Sequence, residues 1–109
     1  MNIDITDPHY AIKMKALQAL YSVRDPELNI NIVDLGLVYN IQVDEEKQSI
    51  GVQMTLSTRS CPLGNIITNH AKVAIEDELE GYQAEVELVW EPKWSYDNIS
   101  AEGRTALGL

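Results

Sequence analysis

The chain has 109 residues, 45% of them apolar, and a formal net charge of −9 from 17 acidic against 8 basic side chains. That length fits a single domain over residues 1–109, which buries about two thirds of its unfolded surface and needs no disulfide or structural metal to form a core. The charge repels phosphate backbones and anionic lipid, so neither nucleic acid nor a membrane surface is expected as a partner.

No apolar run approaches the ~20 residues of a spanning helix, and Met1 to Asp4 carry no basic, signal-like region. One cysteine cannot form an internal disulfide. The expected setting is therefore a reducing cytoplasm.

In chain order, Asp7-Pro8 reads as a helix start, with a capping carboxylate followed by proline. Ile12, Ala16, Ala19, Leu20 and Val23 then recur at helical spacing, and Asp25-Pro26 is expected to end the helix near Arg24. Residues 25–36 have no helical period and read as an ordered loop with three acids, Asp25, Glu27 and Asp34. The plain reading of Asp25 and Asp34 is that they cap turns. Residues 37–43 alternate as a strand, 44–48 form a polar reversal, and Ile50, Val52, Met54 and Leu56 give the core face of a second strand. Gly51, Gln53 and Thr55 are expected on its opposite face.

The stretch 57–63, Ser-Thr-Arg-Ser-Cys-Pro-Leu, joins that strand to a second helix. Pro62 suits a first helical position, which makes Cys61 the expected N-cap. A sulfur there meets free amide N–H groups and the positive end of the helix dipole, an environment that favours thiolate, the nucleophilic and metal-binding form. The competing reading is a buried cysteine packed as a small hydrophobe. The helix pattern continues through Leu63, Ile66, Ile67, His70, Ala71, Val73, Ala74 and Leu79 to Gly81, with Glu76, Asp77, Glu78 and Glu80 crowding the end where carboxylates are unfavourable.

Ala84, Val86, Leu88 and Trp90 define a third strand, parallel to the second across the helical crossover. Pro92 ends the pairing, and Trp94, Tyr96 and Ile99 read as an apolar arm packed back on the domain. Ser100 is a candidate cap for a short last helix ending near Leu107-Gly108. The predicted fold is α/β of the two-layer α+β kind: α-β-β-α-β, a small three-stranded mixed sheet packed by helices, then a short C-terminal helix.

Catalytic and metal-binding patterns are sparse. His70 lies nine residues beyond Cys61 on one helix, about 13 Å along its axis, too far for a Cys–His dyad within one chain. There is no CxxC, no HxxxH and no glycine-rich phosphate loop. One chain cannot complete a zinc or iron–sulfur site with thiolates alone, so a cluster would be shared across subunits, shared with a partner, or partly carboxylate-ligated.

Asp25-Pro26-Glu27-Leu28, residues 33–38, Met54 to Thr58, Cys61-Pro62-Leu63, and the tail from Val89-Trp90 through Pro92 and Trp94 to Leu107-Gly108 occur here in one order. From about Ile12 to Leu109 the chain resembles the SufT/PaaD-like (MIP-eighteen type) iron–sulfur cluster assembly domain family. The resemblance implies an FSCA-like domain, an accessory factor in iron–sulfur cluster assembly or delivery, not an enzyme. Its partners would be the assembly machinery and client apoproteins.

The family's polar residues map onto Asp25, Glu27, Asp34, Thr55 and Cys61, with Thr58 beside them; Arg59 and Ser60 depart from the family pattern. Cys61 would then be a transient contact for iron or an iron–sulfur cluster. The PaaD-type cysteine-rich tail is missing, which favours the shorter SufT-like role. Arg59 and the helix end would lower the thiol pKa while Asp25, Glu27 and Asp34 would raise it, a conflict that a bound cation would reconcile. A homodimer is expected on the ground that one thiol per chain needs company to hold a cluster. Two rival functions remain open: a small thiol-dependent enzyme with Cys61 as nucleophile and a loop carboxylate as base, and a cysteine-independent interaction module that binds a partner through its acidic surface and the Trp90/Trp94 region.

Overall fold

A computed structural model describes residues 3–26, 28–57 and 64–108. Helix α1 (Tyr10–Leu20) precedes strands β1 (Val38–Asp44) and β2 (Ser49–Met54). Helix α2 (Gly64–Glu78) leads into β3 (Gln83–Leu88), and a 3-10 turn (Tyr96–Asn98) precedes α3 (Ala101–Leu107). The sheet order is β1-β2-β3. β1 and β2 pair antiparallel, and β2 and β3 pair parallel, so the sheet is mixed as the sequence predicts.

The hairpin closes through Asp44↔Ser49. Asp44 Oδ1 accepts the Lys47 N–H at 3.1 Å, and Gln48 takes a left-handed φ of 49°. Ile41, Ile50, Val52, Met54 and Ala84 are buried on the sheet, and α2 packs against β3 while α1 packs against α2 and β1. From α1 come Ala16, Leu17 and Leu20, and from α2 Ile67, Ala71 and Ile75, joined by Leu79 just beyond its end. These last four lie on one stripe of α2 at four-residue spacing.

Several expectations are corrected. α1 begins at Tyr10, not at Pro8: Asp7 acts one turn earlier, its carboxylate accepting the His9 N–H at 2.8 Å and the Lys13 ammonium at 2.7 Å. α1 also stops at Leu20 rather than near Arg24, because Arg24 is drawn into an isolated antiparallel bridge with Asn31. Its guanidinium then donates to the Asn29 carbonyl at 2.8 Å and not to the helix end.

On α2, Ile66 and Val73 are 47% and 45% exposed, so they leave the predicted core face, and Ile75 takes the core position instead. Tyr96 is 67% exposed, although its ring rests on Trp94 with centroids 5.5 Å apart. The C-terminal end is as expected: the Ser100 hydroxyl caps α3 by accepting the Gly103 N–H at 3.0 Å, and Gly108 closes it at φ 78°.

Candidate functional site

The sheet ends where β2 gives way to Thr55. The Thr55 N–H donates to the Leu37 carbonyl at 2.8 Å, and the Met54 carbonyl accepts the Val89 N–H at 2.8 Å. These two bonds hold the end of β2 between the loop entering β1 and the chain leaving β3. Thr55 is only 1% exposed and Leu56 5%, so strand alternation fails here, and the expected outward placement of Thr55 is wrong. Together Thr55, Leu56 and Ser57 form one side of a cleft of about 480 Å³; Trp90, Glu91, Lys93 and Trp94 form the other.

The far wall is tied down. The Trp94 indole N–H donates to the Leu35 carbonyl at 2.6 Å, which fixes the ring beside the cleft. Tyr39 donates its hydroxyl to the Pro92 carbonyl at 2.7 Å and accepts from the Asn98 amide at 3.4 Å. Burial pushes the Tyr39 hydroxyl pKa up, with the Asn98 hydrogen bond working against it, so at neutral pH it keeps its proton and donates. Trp90 and Lys93 were absent from the predicted pocket; Trp90 reads as a strand end, Trp94 as part of an apolar arm, and the two together as the binding region of the interaction-module alternative, with nothing local to pair them with Thr55.

Asp25 is buried at 3% exposure. Its Oδ1 accepts the Leu28 N–H at 3.1 Å, its carbonyl accepts the Asn29 N–H at 2.8 Å, and its own N–H reaches the Ile30 carbonyl at 2.9 Å. This is a turn-capping aspartate. Asp34 is half-buried and holds the C-terminal arm. Its Oδ1 accepts the Ser100 hydroxyl at 2.9 Å, its Oδ2 accepts the Asn31 amide at 2.7 Å, and its carbonyl accepts the Ser100 N–H at 2.7 Å. Of the predicted pocket residues that the structure describes, Thr55 lines the cleft, while Asp25 and Asp34 serve turns and tethers. Glu27, Thr58, Arg59 and Cys61 lie outside the described residues.

Among the described residues, no group of three or more His, Cys, Asp and Glu side chains gathers on one point. His70 lies on the outer side of α2, in a shallow groove with Val23, Val73 and Asp77. His9 Nδ1 sits 3.2 Å from Glu45 Oε2 at the hairpin. No helix among the described residues is long and apolar enough to cross a membrane.

Residues 13–88 match the family model described as iron–sulfur cluster assembly protein. The chain is 41% identical to the Fe-S protein maturation auxiliary factor YitW of Bacillus subtilis, a match covering 91% of this chain and 96% of that protein. It is 42% identical to the Fe-S protein maturation auxiliary factor SufT of Staphylococcus aureus, covering 80% and 98% respectively. Among solved structures, a domain of unknown function (DUF59) from Bacillus anthracis superposes with a TM-score of 0.85 at 34% identity, covering 91% of this chain and 93% of the other. A conserved hypothetical protein of Thermotoga maritima gives a TM-score of 0.73 at 36% identity, with both chains covered completely.

Proposed function

The chain belongs to the iron–sulfur cluster assembly protein family, and from that premise we propose that it is an accessory factor in the maturation of iron–sulfur proteins, acting in the cytoplasm. The observation that carries this reading is the match, over nearly their whole length, to relatives named as Fe-S protein maturation auxiliary factors. Those names also support a role without turnover chemistry of its own.

Cys61 is the working contact for the cargo, iron or an iron–sulfur cluster in transit. Cysteine is the chain's one thiol, and thiolate is the ligand that iron–sulfur clusters take. One thiolate leaves such a cluster incompletely ligated, so the remaining ligands come from the client or the assembly partner, or from a second copy of the chain. A cluster held in that way is readily given up. The cleft between Thr55 and Trp94 adds a recognition surface near the segment that carries Cys61: Ser57, on its rim, is four residues before Cys61 in sequence. Its two tryptophans and the opposite charges of Glu91 and Lys93 suit a segment of polypeptide more than a phosphate-bearing ligand.

The test is a strain whose only copy carries Cys61→Ala. Client iron–sulfur enzymes should lose activity while their polypeptide levels hold, and the variant should remain folded by circular dichroism. Anaerobic incubation of the purified protein with iron and sulfide should give charge-transfer absorbance in the wild type and less in the variant. Full client activity in the Cys61→Ala strain would end the role given to this thiol. Rapid turnover of a test thioester by the wild type would favour thiol catalysis instead.

A further inference from the structure

We propose that Asp34 is a positioning residue: through its buckle to Ser100 it holds the Trp94 wall of the cleft, and it works on the cargo site through that wall and not as a ligand. The proposal rests on the function assigned above. Three consecutive residues, Asp34, Leu35 and Gly36, receive the C-terminal arm at three points. Leu35 takes the Trp94 indole N–H at 2.6 Å. Gly36 lies under Asn98 so closely that a Cβ at Gly36 would come 2.6 Å from the Asn98 Cβ. Asp34 takes both the backbone N–H and the hydroxyl of Ser100, at 2.7 and 2.9 Å.

The same Ser100 hydroxyl caps α3, and a Cβ at Gly103, one turn into that helix, would sit 3.0 Å from the Asp34 carbonyl. One carboxylate thus fixes the start of α3 and the end of the strap whose other end is Trp94. Both Asp34 oxygens are engaged in these tethers, Oδ2 by Asn31. Oδ1 reaches the strap through Ser100, while Oδ2 braces the loop that carries Asp34 through Asn31.

The two roles part company at Ser100. If Asp34 acts through the strap, Ser100→Ala should reproduce Asp34→Ala, and the double variant should be no worse than either. If Asp34 acts as a ligand, Ser100→Ala should cost far less than Asp34→Ala, because the carboxylate itself remains. The direct readout is solvent exchange of the Trp94 indole N–H in ¹⁵N-labelled full-length protein. Ser100→Ala should speed it about fivefold, the factor that corresponds to losing a serine cap. Amides of Ile50 and Val52 in β2 should keep their rates, which separates loosening of the strap from loss of the fold. Ser100→Thr, which keeps the hydroxyl, should restore the slow exchange.

Client-enzyme activity, measured in strains holding each variant at matched levels, should fall equally for Asp34→Ala and Ser100→Ala. An unchanged indole signal in Ser100→Ala would overturn the proposal. So would lost client activity in Asp34→Ala alone. If Cys61→Ala leaves client activity intact, the function assigned above fails, and the indole exchange still reports whether the buckle holds the wall.

Discussion

Gly36 and Asn98 meet so closely that no side chain fits between them. Gly36 holds a left-handed φ of 75°, and a Cβ there would lie 2.6 Å from the Asn98 Cβ and 2.7 Å from its carbonyl carbon. Gly36→Ala therefore carries two costs, a left-handed backbone on a residue with a Cβ and displacement of the arm. Together they should destabilise the fold by about 2–4 kcal/mol. Urea midpoints at neutral pH measure this directly. A loss below about 0.5 kcal/mol, the range of an ordinary surface substitution, would mean that the arm is free to lift away from Gly36.

Glu76 gives the fold a specific acid sensitivity. Its carboxylate accepts the Ala84 backbone N–H at 3.0 Å and the Lys72 ammonium at 2.9 Å, and Lys72 also donates to the Ala84 carbonyl at 3.0 Å. The acid therefore clamps the start of β3 onto α2 despite sitting near the helix end that disfavours it. The Ala84 hydrogen bond first, and Lys72 second, hold its pKa below the ordinary 4.5. A folded pKa below the unfolded one stabilises the protein fully above about 4.5, and the effect is lost as pH falls through the folded value. Wild type should thus exceed Glu76→Gln in stability at pH 7, and the gap should shrink as pH falls below about 4.5. A gap of equal size at pH 3 and pH 7 would show that the carboxylate's charge contributes nothing.

What sequence could and could not convey divides along the range of the interactions. The alternation of Ile50, Val52 and Met54, and the Ser100 and Gly108 caps of α3, are local signals, and each is found as read. The mixed sheet follows from a hairpin and a helical crossover, also local in kind. Thr55 was misplaced because the segment it shares the cleft with, Trp90 to Trp94, comes from the far side of β3, and periodicity carries no sign of it. Asp34 was legible as an acid in an ordered loop, yet its partner Ser100 lies 66 residues away. Residues 33–38 therefore carry no local sign of the arm that its hydrogen bonds tie down. The helix start expected at Cys61-Pro62 lies outside the described residues.

Helix α2 provides the last contrast, between neighbours that look alike in sequence. Ile75 is fully buried among residues of the core, whereas Ile66 and Val73 are 47% and 45% exposed on the opposite side. Ile75→Ala removes a side chain from a packed interior and leaves a cavity, so it should cost about 2–5 kcal/mol. Ile66→Ala removes contacts mainly with solvent and should stay within about 0.5 kcal/mol of wild type. Val73→Ala should do the same or gain a few tenths of a kcal/mol, since alanine is the better helix former. Urea denaturation of the three single variants tests the orientation of the helix. A Val73→Ala loss equal to that of Ile75→Ala would mean that α2 is rotated about its axis, which would also turn His70 toward the core and away from the groove it shares with Val23 and Asp77.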